Sequence, residues 1–206
     1  LILSTTHAAL LMNRFPAENE AFREPMLTFF EACCAATDRI LRAFAIALQL
    51  PDDFFTPRHN QRCNTLWLLH YPPVVQTPKP DQVRAGEHTD YGSITLLFQD
   101  QVGGLEVQTA DGNWLLAPCI PGAIVVNTGD LMQRWTNHVF CSTRHRVGVP
   151  NDDRVGKSRY SVAFFCHPND DTEIACLPSC QSPAHPPLYP PISAGDYLLS
   201  RLQATY

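Results

Sequence analysis

The chain has 206 residues, 15 lysines and arginines against 20 aspartates and glutamates, and 45% hydrophobic residues, giving a net charge of -5. That length suits one substantial domain with a buried core rather than two, and the acidic balance argues against a nucleic-acid surface. No apolar run approaches the ~18 residues that a membrane helix needs, so a membrane-free, cytoplasmic protein is expected.

Across residues 17–50, Phe22, Met26, Phe29, Cys33, Ala36, Ile40, Phe44 and Leu48 recur in steps of three or four. The spacing predicts one long helix, with Glu20, Arg23, Glu31, Asp38 and Arg42 largely off its apolar stripe. Pro25 falls near the expected start, where a missing N–H is tolerated, and Pro51 ends the segment. Residues 52–55 read as a short helical turn.

From residue 64 the pattern changes to strands parted by Pro, Gly and Asp turns. Strands are predicted over 64–71, 86–98, 103–109, 114–116, 123–127, 140–149 and 158–166, with a Pro-rich surface loop at 72–80. The segments 103–109 and 114–116 read as a hairpin about Ala110-Asp111-Gly112-Asn113. Residues 167–193 are irregular and Pro-rich, and 194–204 read as a closing helix. Short strands with no repeat and no alternating helices suit a mainly β, double-sheet jelly roll with flanking α-helices. Residues 1–63 are then a helical flank or scaffold, and 64–206 the β domain.

Eight cysteines could form a disulfide framework in a short secreted chain, but this one is sizeable and core-rich. Cys33 and Cys34 adjoin in a helical pattern, and Cys119, Cys141 and Cys166 lie in or beside apolar strands, so reduced thiols are expected. Cys166, His167, Cys176, Cys180 and His185 could be drawn as a zinc set, yet they lack paired Cys-x-x-Cys spacing.

The residues that bear chemistry begin at His88 and Asp90. Two apart in an extended strand, they would project to one face with Cα atoms roughly 6 to 7 Å apart. A divalent ion could be held there if a third ligand completed a set of two histidines and one carboxylate. His145 falls on the apolar face of its strand with Thr143 and Val147, while Arg144 and Arg146 point away. By itself such a histidine is more often packed in a core than bound to a metal. Arg159 shares a face with Ser161, Ala163 and Phe165, and a guanidinium directed into a β-barrel requires an anion.

In order and spacing, His88-Thr89-Asp90, Gly129-Asp130 through Trp135-Thr136-Asn137, Ser142-Thr143-Arg144-His145-Arg146-Val147 and Arg159-Tyr160-Ser161 resemble the iron(II)- and 2-oxoglutarate-dependent dioxygenases of the isopenicillin N synthase-like group. The likeness runs from about Asn64 to the C-terminus. It implies a double-stranded β-helix, Fe(II) on His88, Asp90 and His145, and 2-oxoglutarate on Arg159, Ser161 and Tyr71. It further implies O2 as oxidant and substrate contacts at Trp67 and Phe165. The implied reaction oxidises a small organic molecule, by hydroxylation with desaturation or cyclisation as variants, and releases succinate and CO2. Many relatives carry Asn where Leu69 stands and a basic residue where Trp67 stands, which makes this pocket wall more apolar. Full-length relatives also carry a stretch ahead of the point where Leu1 begins. Three other readings stay open: a 2-oxoglutarate-independent oxidase of the isopenicillin N synthase or aminocyclopropane carboxylate oxidase type, a truncated non-catalytic metal-binding homologue, and a zinc protein on the same scaffold. No nucleic-acid or membrane partner is expected, and a monomer is favoured.

Overall fold

The structure, a computed structural model, describes residues 2–4, 15, 20–75, 82–150 and 152–205. Strand β1 (Ile2–Ser4) precedes helix α1 (Glu20–Ala47), the predicted long helix; residues 17–19 of that prediction lie outside the described residues. Pro25 sits inside the helix rather than at its first turn. Its missing N–H leaves the Ala21 carbonyl without its helical partner, at an exposed position where water can serve. The deepest line of α1 runs through Phe30, Cys33, Thr37, Leu41 and Ala45 and continues to Leu48 just beyond its end, so the stripe read from the sequence is one flank of the buried face. Thr37 was passed over because it is polar. Its hydroxyl bonds back to the carbonyls of Cys33 at 3.1 Å and Cys34 at 2.9 Å, which lets it be buried.

Strand β2 (Thr65–Tyr71) follows a short 3-10 turn at Thr56–Arg58 and ends, as expected, before Pro72 and Pro73. Residues 76–80 of the expected Pro-rich loop lie outside the described residues. The single strand expected over 86–98 is two: β3 (Val83–His88) and β4 (Ile94–Gln99), which belong to different sheets. The predicted hairpin is present as β5 (Leu105–Gln108) and β6 (Trp114–Leu116), with Gly112 at φ 85° in its turn, a conformation open to glycine at no steric cost. Next come β7 (Val125–Thr128), helix α2 (Asp130–Trp135), β8 (His145–Gly148) and β9 (Arg159–Cys166). Strand β8 is shorter than the expected 140–149. Residues 140–142 are instead drawn into α2's surroundings, where the Ser142 N–H donates to Gln133 Oε1 at 2.8 Å and Thr128 Oγ1 donates to the Cys141 carbonyl at 2.6 Å. The stretch expected as irregular holds a two-residue pair, β10 (Glu173–Ile174) with β11 (Ile192–Ser193), before helix α3 (Ala194–Thr205).

All paired strands run antiparallel. One sheet has the order β1-β2-β9-β4-β7 and the facing sheet β3-β8-β5-β6, a double-stranded β-helix. The segment expected as helical flank thus also supplies an edge strand. The outer face of the five-stranded sheet packs on α1, with ring centroids 5.3 Å apart for Phe30 and Phe164 and 4.9 Å for Phe29 and Phe98. Its inner face lines a cavity. The eight cysteines are all free, and Cys33 and Cys166 are pushed up to about 12 chiefly by burial, so both stay protonated. No helix among the described residues is long and apolar enough to cross a membrane.

Candidate functional site

Strand register sets the inner face of the large sheet in successive rows. Asn127, Thr95 and Phe165 form the first; Val125, Leu97, Ala163 and Trp67 the second; Gln99, Ser161 and Leu69 the third; Arg159 and Tyr71 the last. Two residues separate each row from the next because side chains alternate between faces. Across the cavity, His88 pairs with His145 and His145 with Val107, and beside them Ala85, Val147 and Leu105 form an apolar row. The cavity is lined by all eight side chains singled out from the sequence: Trp67, Tyr71, His88, Asp90, His145, Arg159, Ser161 and Phe165.

At the first row, one ligand atom from each of His88, Asp90 and His145 lies within 4.8 Å of the others. Among the described residues this is the one such grouping of histidine, cysteine and carboxylate side chains, and the cysteine-rich set imagined as a zinc site does not assemble. His88 Nδ1 lies 2.8 Å from the Gly86 carbonyl, and His145 Nδ1 lies 3.0 Å from the Thr143 carbonyl. A carbonyl can only accept, so each Nδ1 carries the proton and each Nε2 keeps a lone pair for a metal. Asp90 Oδ1 stands 3.6 Å from His145 Nε2. Two imidazole nitrogens and one carboxylate oxygen on one side of a site are the donor set of a non-haem Fe(II) centre with open positions.

Asp90 does not reach this place along a strand. It lies beyond the end of β3, in a loop that the start of α2 holds by hydrogen bonds from Asp130 N–H to the Asp90 carbonyl at 2.7 Å and from Gly129 N–H to the Ser93 carbonyl at 2.9 Å. A Cβ on Gly129 would collide with the Gly92 carbonyl oxygen and stand 2.9 Å from that of Asp90, so only glycine allows this approach. Behind the loop, the Ser93 hydroxyl donates to His59 Nε2 at 2.9 Å, while His59 Nδ1 donates to the Phe55 carbonyl. Burial lowers the pKa of His59 to about 4, and the ring stays neutral.

Arg159 occupies the far end and is 1% exposed. Its Nε donates to the Gly103 carbonyl at 2.7 Å, Nη1 to Ser161 Oγ at 3.0 Å and Nη2 to Gln99 Oε1 at 3.4 Å, and the Tyr71 ring centroid lies 4.9 Å from Cζ. Among the described residues no carboxylate stands within 4.0 Å of it, and burial pulls its pKa below the ordinary value. A guanidinium makes five N–H donors in a planar fork. Three are engaged by neutral acceptors, which leaves donors and an uncancelled charge for an anion. Arg144 and Arg146 face outward, as expected, onto Glu87 and Glu106.

One residue of this site escaped the sequence reading. Asn127 donates from Nδ2 to Asp90 Oδ2 at 2.8 Å. The available signal was an amide closing the apolar run Ala123-Ile124-Val125-Val126, at a position whose alternation points inward.

The description "2OG-Fe(II) oxygenase superfamily" is that of a family model matching residues 57–168, a span holding the grouped His88, Asp90 and His145 and the buried arginine. The chain belongs to the 2OG-Fe(II) oxygenase superfamily. It is 40% identical over 208 aligned positions to the 2-oxoglutarate-Fe(II) type oxidoreductase ppzD of Metarhizium majus, covering 96% of this chain and 58% of that protein. The 2-oxoglutarate-dependent dioxygenase htyE of Aspergillus rugulosus is 38% identical, covering 83% of this chain and 55% of that protein. Among solved structures, full-length Neurospora crassa T7H in complex with alpha-KG superposes with a TM-score of 0.93 at 40% identity, over 100% of this chain and 64% of that one. A putative 2OG-Fe(II) oxygenase family protein from Caulobacter crescentus gives 0.89 at 39% identity, over 97% and 65%. The chain therefore spans less than two thirds of the length of these superfamily members. The same N. crassa protein has also been crystallised with alpha-KG and thymine.

Proposed function

We propose that this chain is the catalytic part of an Fe(II)- and 2-oxoglutarate-dependent oxygenase acting on a small organic substrate. The β-sandwich of residues 64–206 is its working unit and residues 1–63 its scaffold. One observation carries the reading: a cavity with two imidazoles and a carboxylate grouped at one end and, at the other, a buried guanidinium with no carboxylate partner among the described residues. A simple zinc protein has no use for the second feature.

His88, Asp90 and His145 would hold the metal in this scheme, with the two Nδ1–H bonds to backbone carbonyls fixing the ring orientation. A ferrous ion held there would supply the redox chemistry that couples release of succinate and CO2 to oxidation of the substrate. Arg159 takes the distal carboxylate of 2-oxoglutarate on its free donors, and Ser161 and Tyr71 complete that end. Between the two ends, Leu97, Ala163, Leu105 and Val147 offer an apolar passage to the two methylene groups of the diacid and keep water from them. Trp67 and Phe165 meet edge to face at 5.4 Å on the metal side of Ser161, away from the arginine, and present an aromatic wall to the prime substrate. Neither carries charge, so the portion of substrate they meet is uncharged, as is the thymine crystallised with the N. crassa protein.

The test is an anaerobic titration. Fe(II) followed by 2-oxoglutarate is expected to give the visible charge-transfer absorption of a 2-oxo acid chelate, and admission of air is expected to yield succinate. Tight metal binding with neither signal would reject the assignment.

A further inference from the structure

The two oxygens of Asp90 have different neighbours. Oδ1 faces His145 Nε2 at 3.6 Å and belongs to the three-ligand group, whereas Oδ2 accepts the Asn127 amide at 2.8 Å. Asp90 is 6% exposed, and among the described residues Asn127 is the hydrogen-bond donor to its carboxylate. Asn127 is fixed in turn. It sits on β7 in register with Thr95, inside a run of antiparallel pairs from Ile94↔Thr128 to Leu97↔Val125, and its Nδ2 also lies 3.5 Å from the Thr128 carbonyl. The amide must present nitrogen, not oxygen, to a carboxylate, so its orientation follows from its partner.

A carboxylate can bind a metal through one oxygen or through both. With one, a facial group of three ligands leaves three positions open on an octahedral ion, enough for a chelating 2-oxo acid and one more ligand. With both, only two remain. We propose that Asn127 is a positioning residue that occupies Asp90 Oδ2, keeps the carboxylate a one-oxygen ligand and so holds the third position open. This rests on the metal reading given under the proposed function and adds to it a reason for an amide at this place in the strand.

The probe is Mn(II), which takes hard oxygen and nitrogen ligands and can be studied without dioxygen chemistry. The metal-free 206-residue chain is titrated with Mn(II); the electron-spin signal of free ion gives the affinity, and water-proton relaxation gives the number of exchanging waters on the bound ion. The wild type is expected to hold Mn(II) with three such waters. Asn127→Leu, of similar size but with no donor, is expected to bind Mn(II) ~10- to 100-fold more weakly, the usual consequence of losing an outer partner of a ligand, and with two waters. Asn127→Ser, smaller and polar, is expected to behave alike and serves if the leucine variant does not fold. Variants that keep the wild-type affinity within twofold overturn the proposal. So does a loss of affinity with three waters retained, because a purely structural residue would act that way. A wild-type chain that holds no Mn(II) instead overturns the metal reading itself and the inference with it.

Discussion

Replacing Arg159 by leucine separates a cosubstrate anchor from a structural arginine, because the two roles predict opposite pairs of results. Arg159 is buried, with neutral acceptors at 2.7, 3.0 and 3.4 Å and no carboxylate among the described residues within 4.0 Å. Removing a buried charge that lacks a counter-ion relieves several kcal/mol of desolvation. Against this, the Gly103 carbonyl loses its bond, which costs about 1 to 3 kcal/mol. The metal-free Arg159→Leu protein is therefore expected within about 2 kcal/mol of the wild type in chemical denaturation, or above it. Its affinity for 2-oxoglutarate, measured on the Fe(II) form without oxygen, is expected to fall by about 2 to 5 kcal/mol, roughly 30-fold to several thousand-fold, since the distal carboxylate is left in an apolar cavity without its partner. A protein destabilised by more than about 3 kcal/mol that binds 2-oxoglutarate unchanged would refute the reasoning, for that pair belongs to an arginine serving the fold.

Three further outcomes are expected. His88→Ala should lose Fe(II) in an anaerobic titration while staying within about 1 kcal/mol of wild-type stability, because His88 is exposed and its ring meets a local carbonyl and the ring of His145. His59 has a pKa lowered by burial from 6.5 to about 4, so the unfolded chain takes up a proton before the folded one does. Its contribution is intact above pH 6.5 and is lost as pH falls toward 4, by about 3 kcal/mol at most, and pH-dependent denaturation of the metal-free protein should lose that part of its slope in His59→Gln. The Arg144–Glu87 pair at 2.6 Å flanks both histidines in sequence, yet both side chains are more than half exposed. Arg144→Ala should change stability by less than about 1 kcal/mol and leave metal affinity within twofold in the same titration.

That the singled-out side chains share one cavity was legible because their types and order are restrictive, and strand alternation places Arg159, Ser161, Ala163 and Phe165 on one face as observed. The path of the backbone between them was less so. His88 and Asp90 fall on a single expected strand, but periodicity cannot register that the start of α2, some forty residues onward, holds Asp90 in a loop between two sheets. Strand β8 is shorter than expected for a related reason: residues 140–142 alternate passably, yet the Ser142 N–H and the Cys141 carbonyl bond to the side chains of Gln133 and Thr128 instead of continuing a ladder. Thr37 and Asn127 were missed for want of a visible partner, since a polar residue on an inward face gains meaning only when its acceptor is known.

Under the proposed function, the placement of the guanidinium on a central strand bears on which diacids can be accommodated. Strand β9 is paired with β2 over residues 159–165 and with β4 over residues 161–166, so its arginine could be relocated within the cavity only by skipping two residues, a jump of roughly 6.6 Å. Adding or removing one carbon from a 2-oxo diacid changes its span by a fraction of that jump. Backbone register thus offers a coarse ruler with no intermediate marks, and tolerance toward longer or shorter homologues must come from trimming side chains such as Leu97 or Leu105 along the passage, never from sliding the strand.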